Sequence, residues 1–77
     1  MIEIFCTNVS SRLQANNILD RLQKEFPQYE MNFDLEDCDR ILRVDGKEDV
    51  VNRQAIIELV KHFKCEIKVL PDEFTNA

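Results

Sequence analysis

Apolar and polar residues alternate from Tyr29 to Glu36. Tyr29, Met31, Phe33 and Leu35 are apolar, and Glu30, Asn32, Asp34 and Glu36 are polar. A period of two predicts a strand with one buried face. Glu36-Asp37-Cys38-Asp39 breaks that pattern. Aspartates favour turns because their carboxylates accept hydrogen bonds from nearby backbone N–H groups. Ile41 to Val44 then resumes an extended pattern and stops at Asp45-Gly46. Gly46 is the single glycine of the chain, which predicts a backbone position with positive φ.

The flanking segments change period. Residues 1–9 predict a first strand, with Ile2, Ile4 and Cys6 on one face and Glu3, Phe5 and Thr7 on the other. Ser11 and Gln14 form an S-x-x-Q capping box, a helix-start signal that satisfies orphan N–H groups. Ala15, Ile18, Leu19, Leu22 and Phe26 follow at helical spacing, which makes one apolar face. Pro27 places the helix end near Phe26. Asp20 and Lys24 stand four apart in the favourable order on the wet side. A second helix follows residues 47–52, capped by either Asp49 or Asn52. Its buried stripe is Ala55, Ile56, Leu59, Val60 and Phe63. His62 falls in its last turn, where the helix dipole favours a cation. Cys65, Ile67 and Val69 alternate with Glu66, Lys68 and Leu70 in a last strand ended by Pro71. Residues 72–77 read as a frayed tail.

The element order is therefore strand, helix, strand, strand, helix, strand, in one domain over residues 1–71. Right-handed crossovers turn two such units into an α+β, ferredoxin-like βαββαβ sandwich. It has a four-stranded antiparallel sheet with two helices on one face. The first and third strands are central, and the second and fourth are edges.

Composition narrows the function classes. The chain has 77 residues, enough for one domain with a limited core. No apolar run approaches the roughly 18 residues of a membrane helix. The N-terminus has no basic segment leading an apolar core, so the expected location is cytoplasmic. Fifteen acidic residues against ten basic ones give a formal charge of −5. That balance argues against nucleic acid and against anionic membranes as partners. Cys6, Cys38 and Cys65 are odd in number and contain no Cys-x-x-Cys, which favours free thiols. Cys6 and Cys65 read as small apolar fillers. Cys38 sits in the acidic turn, where neighbouring carboxylates disfavour a thiolate.

Several residues together carry a resemblance. The helix has Ile18 and Leu22 four apart, and a proline turn follows. Asn32-Phe33-Asp34-Leu35 then looks like a Val-x-Val-Asn-Leu second strand. Ile41-Leu42-Arg43-Val44 precedes a turn, and His62-Phe63-Lys64-Cys65-Glu66 stands where Gly-Tyr is usual. From Ile2 to Leu70 the chain resembles the heavy-metal-associated domain family of copper chaperones and metal-pump modules. Asn32 to Asp39 looks more closely like a group of small uncharacterised bacterial proteins of this fold. The family's metal motif, Met-x-Cys-x-x-Cys, aligns with Val9-Ser10-Ser11-Arg12-Leu13-Gln14. Ser11 and Gln14 replace its two thiolates, and soft Cu(I) needs thiolates. The resemblance thus implies the family's fold without its metal site or a cofactor.

The functional expectation is a non-enzymatic module for protein interaction or self-association. Met31, Phe33, Leu42, Val44, Ile67 and Val69 are assigned to the helix side of the sheet. Phe5, Ile41 and Leu70 then fall on the open side and form the candidate interaction patch. The partner is an unidentified protein or a second copy in a weak homo-oligomer. The alternative is cation binding at the acidic turn, where Asp34, Glu36, Asp37 and Asp39 offer oxygens and Cys38 a thiol. Its spacing matches no EF-hand loop. Residual metal carriage by Cys6, Cys38 or Cys65 is a further alternative. Ile41 to Val44 lacks the aromatics of an RNA-binding sheet. No clustered cysteines, phosphate loop or activated nucleophile points to an enzyme.

Overall fold

The computed structural model describes residues 1–70. It comprises β1 (Ile2–Thr7), α1 (Arg12–Glu25), β2 (Glu30–Asp34), β3 (Ile41–Asp45), α2 (Arg53–Lys61) and β4 (Ile67–Val69). The expected strand stop at Pro71 and the tail 72–77 lie outside the described residues. The strands lie in the order β2-β3-β1-β4 and every neighbouring pair is antiparallel. β1 and β3 are therefore central, and the fold is the ferredoxin-like α+β sandwich. Among the described residues no helix is long and apolar enough to cross a membrane.

The core forms between the helices and one sheet face. Ala15, Ile18 and Leu22 of α1 and Ile56 and Val60 of α2 pack with Phe5, Phe33, Leu42, Val44 and Ile67. Phe5, Ile18, Leu22, Leu42 and Ile56 are fully buried. Each such side chain contributes roughly 1.5–3 kcal/mol by leaving water. Leu19, Phe26, Leu59 and Phe63 are half-buried at the margin of this core, as their helical spacing predicts.

Both helix starts are held by side-chain caps. Ser11 Oγ accepts from Gln14 N at 3.2 Å, and Asn52, rather than Asp49, caps α2 by accepting from Ala55 N at 3.1 Å. The Tyr29 hydroxyl donates to Val50 O and accepts from Asn52 N, each at 3.0 Å. It therefore fixes the entry to α2 from the residue that precedes β2. The Tyr29 ring stacks on Phe26, with centroids 5.2 Å apart.

Several expectations need correction. Phe5 does not lie on the open side of the sheet. It stands opposite Leu42 on β3 and Val69 on β4, on the helix side, and is wholly buried. Directly opposed residues share a face, so the register assigns Phe5 to the core and Ile2, Ile4 and Cys6 to the outer face. Glu3 is half-buried opposite Val44 on the inner side, and Thr7 is the other polar residue of β1 there. Its hydroxyl donates to Arg40 O at 2.7 Å and accepts from Val9 N at 3.2 Å, which satisfies it away from water.

Gly46 does not take a positive φ; Lys47 does, at 60°. Glycine is needed at 46 for close approach. A Cβ there meets Asp49 O at 2.5 Å and Val51 Cγ2 at 3.0 Å. The capping box is only half made, because Gln14 Nε2 donates to Cys65 Sγ at 3.1 Å instead of returning to Ser11. The ion pair on α1 joins Arg21 to Glu25 at 3.7 Å, one position beyond the expected Asp20 and Lys24.

Candidate functional site

Two regions carry the sequence-derived candidates: the sheet face away from the helices, and the turn between β2 and β3. The register arranges the outer face in rows. Asp34, Ile41, Cys6 and Lys68 stand side by side across all four strands. Asn32, Arg43 and Ile4 form the next row. Leu70 joins it beside Ile4, where its N–H donates to Ile4 O at 2.8 Å. Glu30, Asp45 and Ile2 form the last row.

This face is apolar along its middle and charged at its flanks. Ile2 is 57% exposed, while Ile4, Cys6 and Leu70 are half-buried. Ile41 lies on the outer face as expected, but it is only 7% exposed and stands outside the main core. Of the expected patch, Ile41 and Leu70 are therefore here, and Phe5 is replaced by Ile2, Ile4 and Cys6. Alternation in residues 1–9 separates those two sets correctly. Pairing with β3 and β4 then decides which set faces the helices.

The acidic turn is built by local hydrogen bonds. Asp34 Oδ1 accepts from Glu36 N at 3.3 Å, and Asp37 Oδ1 accepts from Asp39 N at 2.9 Å. Arg40, at φ 48°, closes the turn by donating from its N–H to Asp37 O at 2.9 Å. Its Nη1 donates to Leu35 O at 3.0 Å. Thr7 N donates to Asp39 O at 3.1 Å, which ties the turn to the end of β1. Asp37, Cys38 and Asp39 are all exposed, and their potential ligand atoms lie within 4.8 Å of one another. Among the described residues they are the one group of three or more metal-type ligands; Asp34 and Glu36 stand outside it. Three exposed donors fall short of the six to eight oxygens that calcium takes.

Residues 9–14, at the start of α1, are engaged in local packing and hydrogen bonds. Ser11 caps α1, and Gln14 bonds the buried Cys65. Burial raises the Cys65 pKa, and the hydrogen bond from Gln14 offsets part of that rise. The neutral thiol is therefore the resident form. Cys6, Cys38 and Cys65 are not joined in disulfides and lie at three levels of exposure: half-buried, exposed and buried. His62 is exposed at the C-cap of α2. It lines a shallow cavity of about 280 Å³ with Arg21, Leu59 and Phe63. Comparison with protein-family models, with curated proteins and with solved structures finds no match.

Proposed function

We propose that the chain is a non-enzymatic, cytoplasmic protein-interaction module that works through the outer face of its sheet. On this reading it is a heavy-metal-associated-like domain whose metal site has been replaced by a helix cap. The observation that carries the reading is the strip of Ile2, Ile4, Cys6, Ile41 and Leu70 on the face opposite the helices. An apolar strip bordered by charge is the anatomy of a protein contact. The engagement of Ser11 with Gln14 N and of Gln14 with Cys65 supports loss of the metal site. Native mass spectrometry of the chain isolated from its own cells tests this. The wild type is expected in an assembly heavier than one chain, and Ile4→Lys is expected as a bare chain. An assembly indifferent to Ile4→Lys, or a wild type that is bare both in this spectrum and in sedimentation at about 1 mM, overturns the reading.

The approach of Asp37, Cys38 and Asp39 within 4.8 Å favours a second reading, weak cation binding at the turn. Calorimetry with calcium, magnesium, manganese and zinc tests it. Heat that disappears in Asp37→Asn supports it, and no heat with any of the four ions removes it.

A further inference from the structure

We infer that the outer face pairs with the outer face of a second copy of this chain, about a two-fold axis parallel to the strands. The inference rests on the interaction reading above and specifies its partner and geometry. The row Asp34, Ile41, Cys6, Lys68 crosses the whole sheet. It reads anion, apolar, apolar, cation, with opposite charges at its two ends. Strands lie about 4.8 Å apart, so those ends are separated by about 14 Å within one chain. Among the described residues neither Asp34 nor Lys68 forms an ion pair inside the chain. Both are exposed.

A two-fold axis along the strands reverses the order of each row and keeps its level. Asp34 then faces the partner's Lys68, and Lys68 faces the partner's Asp34. Ile41 faces the partner's Cys6, and Cys6 faces the partner's Ile41. One contact is thus made twice, as a two-fold interface requires. An axis across the strands would instead stack each strand on its own copy and set Asp34 against like charge. In the next row Arg43 comes over the partner's Ile4, where a long aliphatic stem can cover an apolar side chain and keep its charge at the rim. The face carries two cations, Arg43 and Lys68, against three carboxylates, Glu30, Asp34 and Asp45. Repulsion between two copies is therefore small there, although the chain as a whole is acidic.

The face spans about 19 by 17 Å from strand spacing and rise. That is small beside the roughly 800 Å² per partner of a standard interface, so the dimer is a weak one.

Sedimentation equilibrium of the full chain, at concentrations up to about 1 mM, tests the pairing where a small interface is populated. Five variants accompany the wild type: Lys68→Asp, Asp34→Lys, the two combined, Asp34→Asn and Ile4→Lys. Asp34→Asn keeps the Oδ1 acceptor of the turn while removing the charge, and circular dichroism checks that each variant folds. The wild type is expected to dimerise. Each single charge reversal is expected to weaken the dimer about tenfold, and the combined reversal to recover it to within about threefold. Asp34→Asn is expected to weaken it less than Asp34→Lys, and Ile4→Lys to abolish it.

A dimer lost in Ile4→Lys but not recovered by the combined reversal overturns this geometry and leaves the face as the contact. A dimer indifferent to Ile4→Lys overturns both. A monomer at every concentration overturns self-pairing, whether residues 71–77 or a different protein covers the face. The mass of the native assembly then judges the interaction reading alone.

Discussion

The two faces of the sheet are made from neighbouring residues of the same strands, yet their chemistry differs. On the inner face Phe5, Leu42 and Val44 are fully buried, and Phe33 joins them in one core with both helices. On the outer face Ile4 and Cys6 are half-buried, and Arg43 and Lys68 are in water. The inner face holds the fold together because large side chains leave water completely there. The outer face keeps its apolar strip on the side away from the helices. The comparison teaches that the residues packed under the helices and those left on the outer face are divided by strand parity, one residue apart.

The largest expected effect breaks that division from the inner side. Phe5→Ala is expected to destabilise the chain by about 3–5 kcal/mol in urea unfolding, since it opens a cavity among packed neighbours. Ile4→Ser, one residue away, is expected to change stability by about 1 kcal/mol or less. Equal losses from the two variants would erase the distinction between the faces.

Tyr29→Phe probes how the core side is tied to α2. It removes the hydroxyl shared by Val50 O and Asn52 N, and a loss of about 1–2 kcal/mol is expected by denaturant titration. Asn52→Ala should remove about 1 kcal/mol through loss of the N-cap of α2, measured the same way.

The thiols sharpen the comparison without altering packing. Cys38 is exposed and Cys65 buried as the neutral form, so a thiol reagent should label Cys38 first and Cys65 last, read by mass spectrometry. Cys65 also makes stability fall at alkaline pH. Its folded-state pKa is raised above the unfolded value, so the native state holds the proton more tightly. That contribution is fully present below the unfolded thiol's pKa and is lost as pH rises through the folded one. Urea midpoints for the wild type should therefore decline above about pH 8.5, where free thiols ionise. Cys65→Ala should decline less.

The element order and both amphipathic helices were legible from hydrophobic period, and the central position of β1 and β3 followed from right-handed crossovers in that order. Helical and extended backbones present side chains at fixed repeats, and one apolar stripe has one place to go. Ser11 as a cap and the acidic turn at residues 36–39 were legible for the same local reason. Gly46 was legible as a special position, but its reason was not, because the close approach of Asp49 O arises from how residues 46–51 fold back. The Gln14–Cys65 bond joins residues 51 apart in sequence, and no local rule reaches that far.

The candidate face shows where sequence stops. Residues 1–9 determine by themselves that Ile2, Ile4 and Cys6 share one side of β1 and that Glu3, Phe5 and Thr7 share the other. The first set is wholly apolar and the second has Phe5 as its one large apolar residue, so the pattern places Phe5 on the open side, the reverse of the observed packing. Tertiary structure decided the inward side by setting Phe5 opposite Leu42 and Val69. Burying a phenylalanine ring removes more apolar surface from water than burying Cys6. Thr7 can face inward because Arg40 O and Val9 N satisfy its hydroxyl.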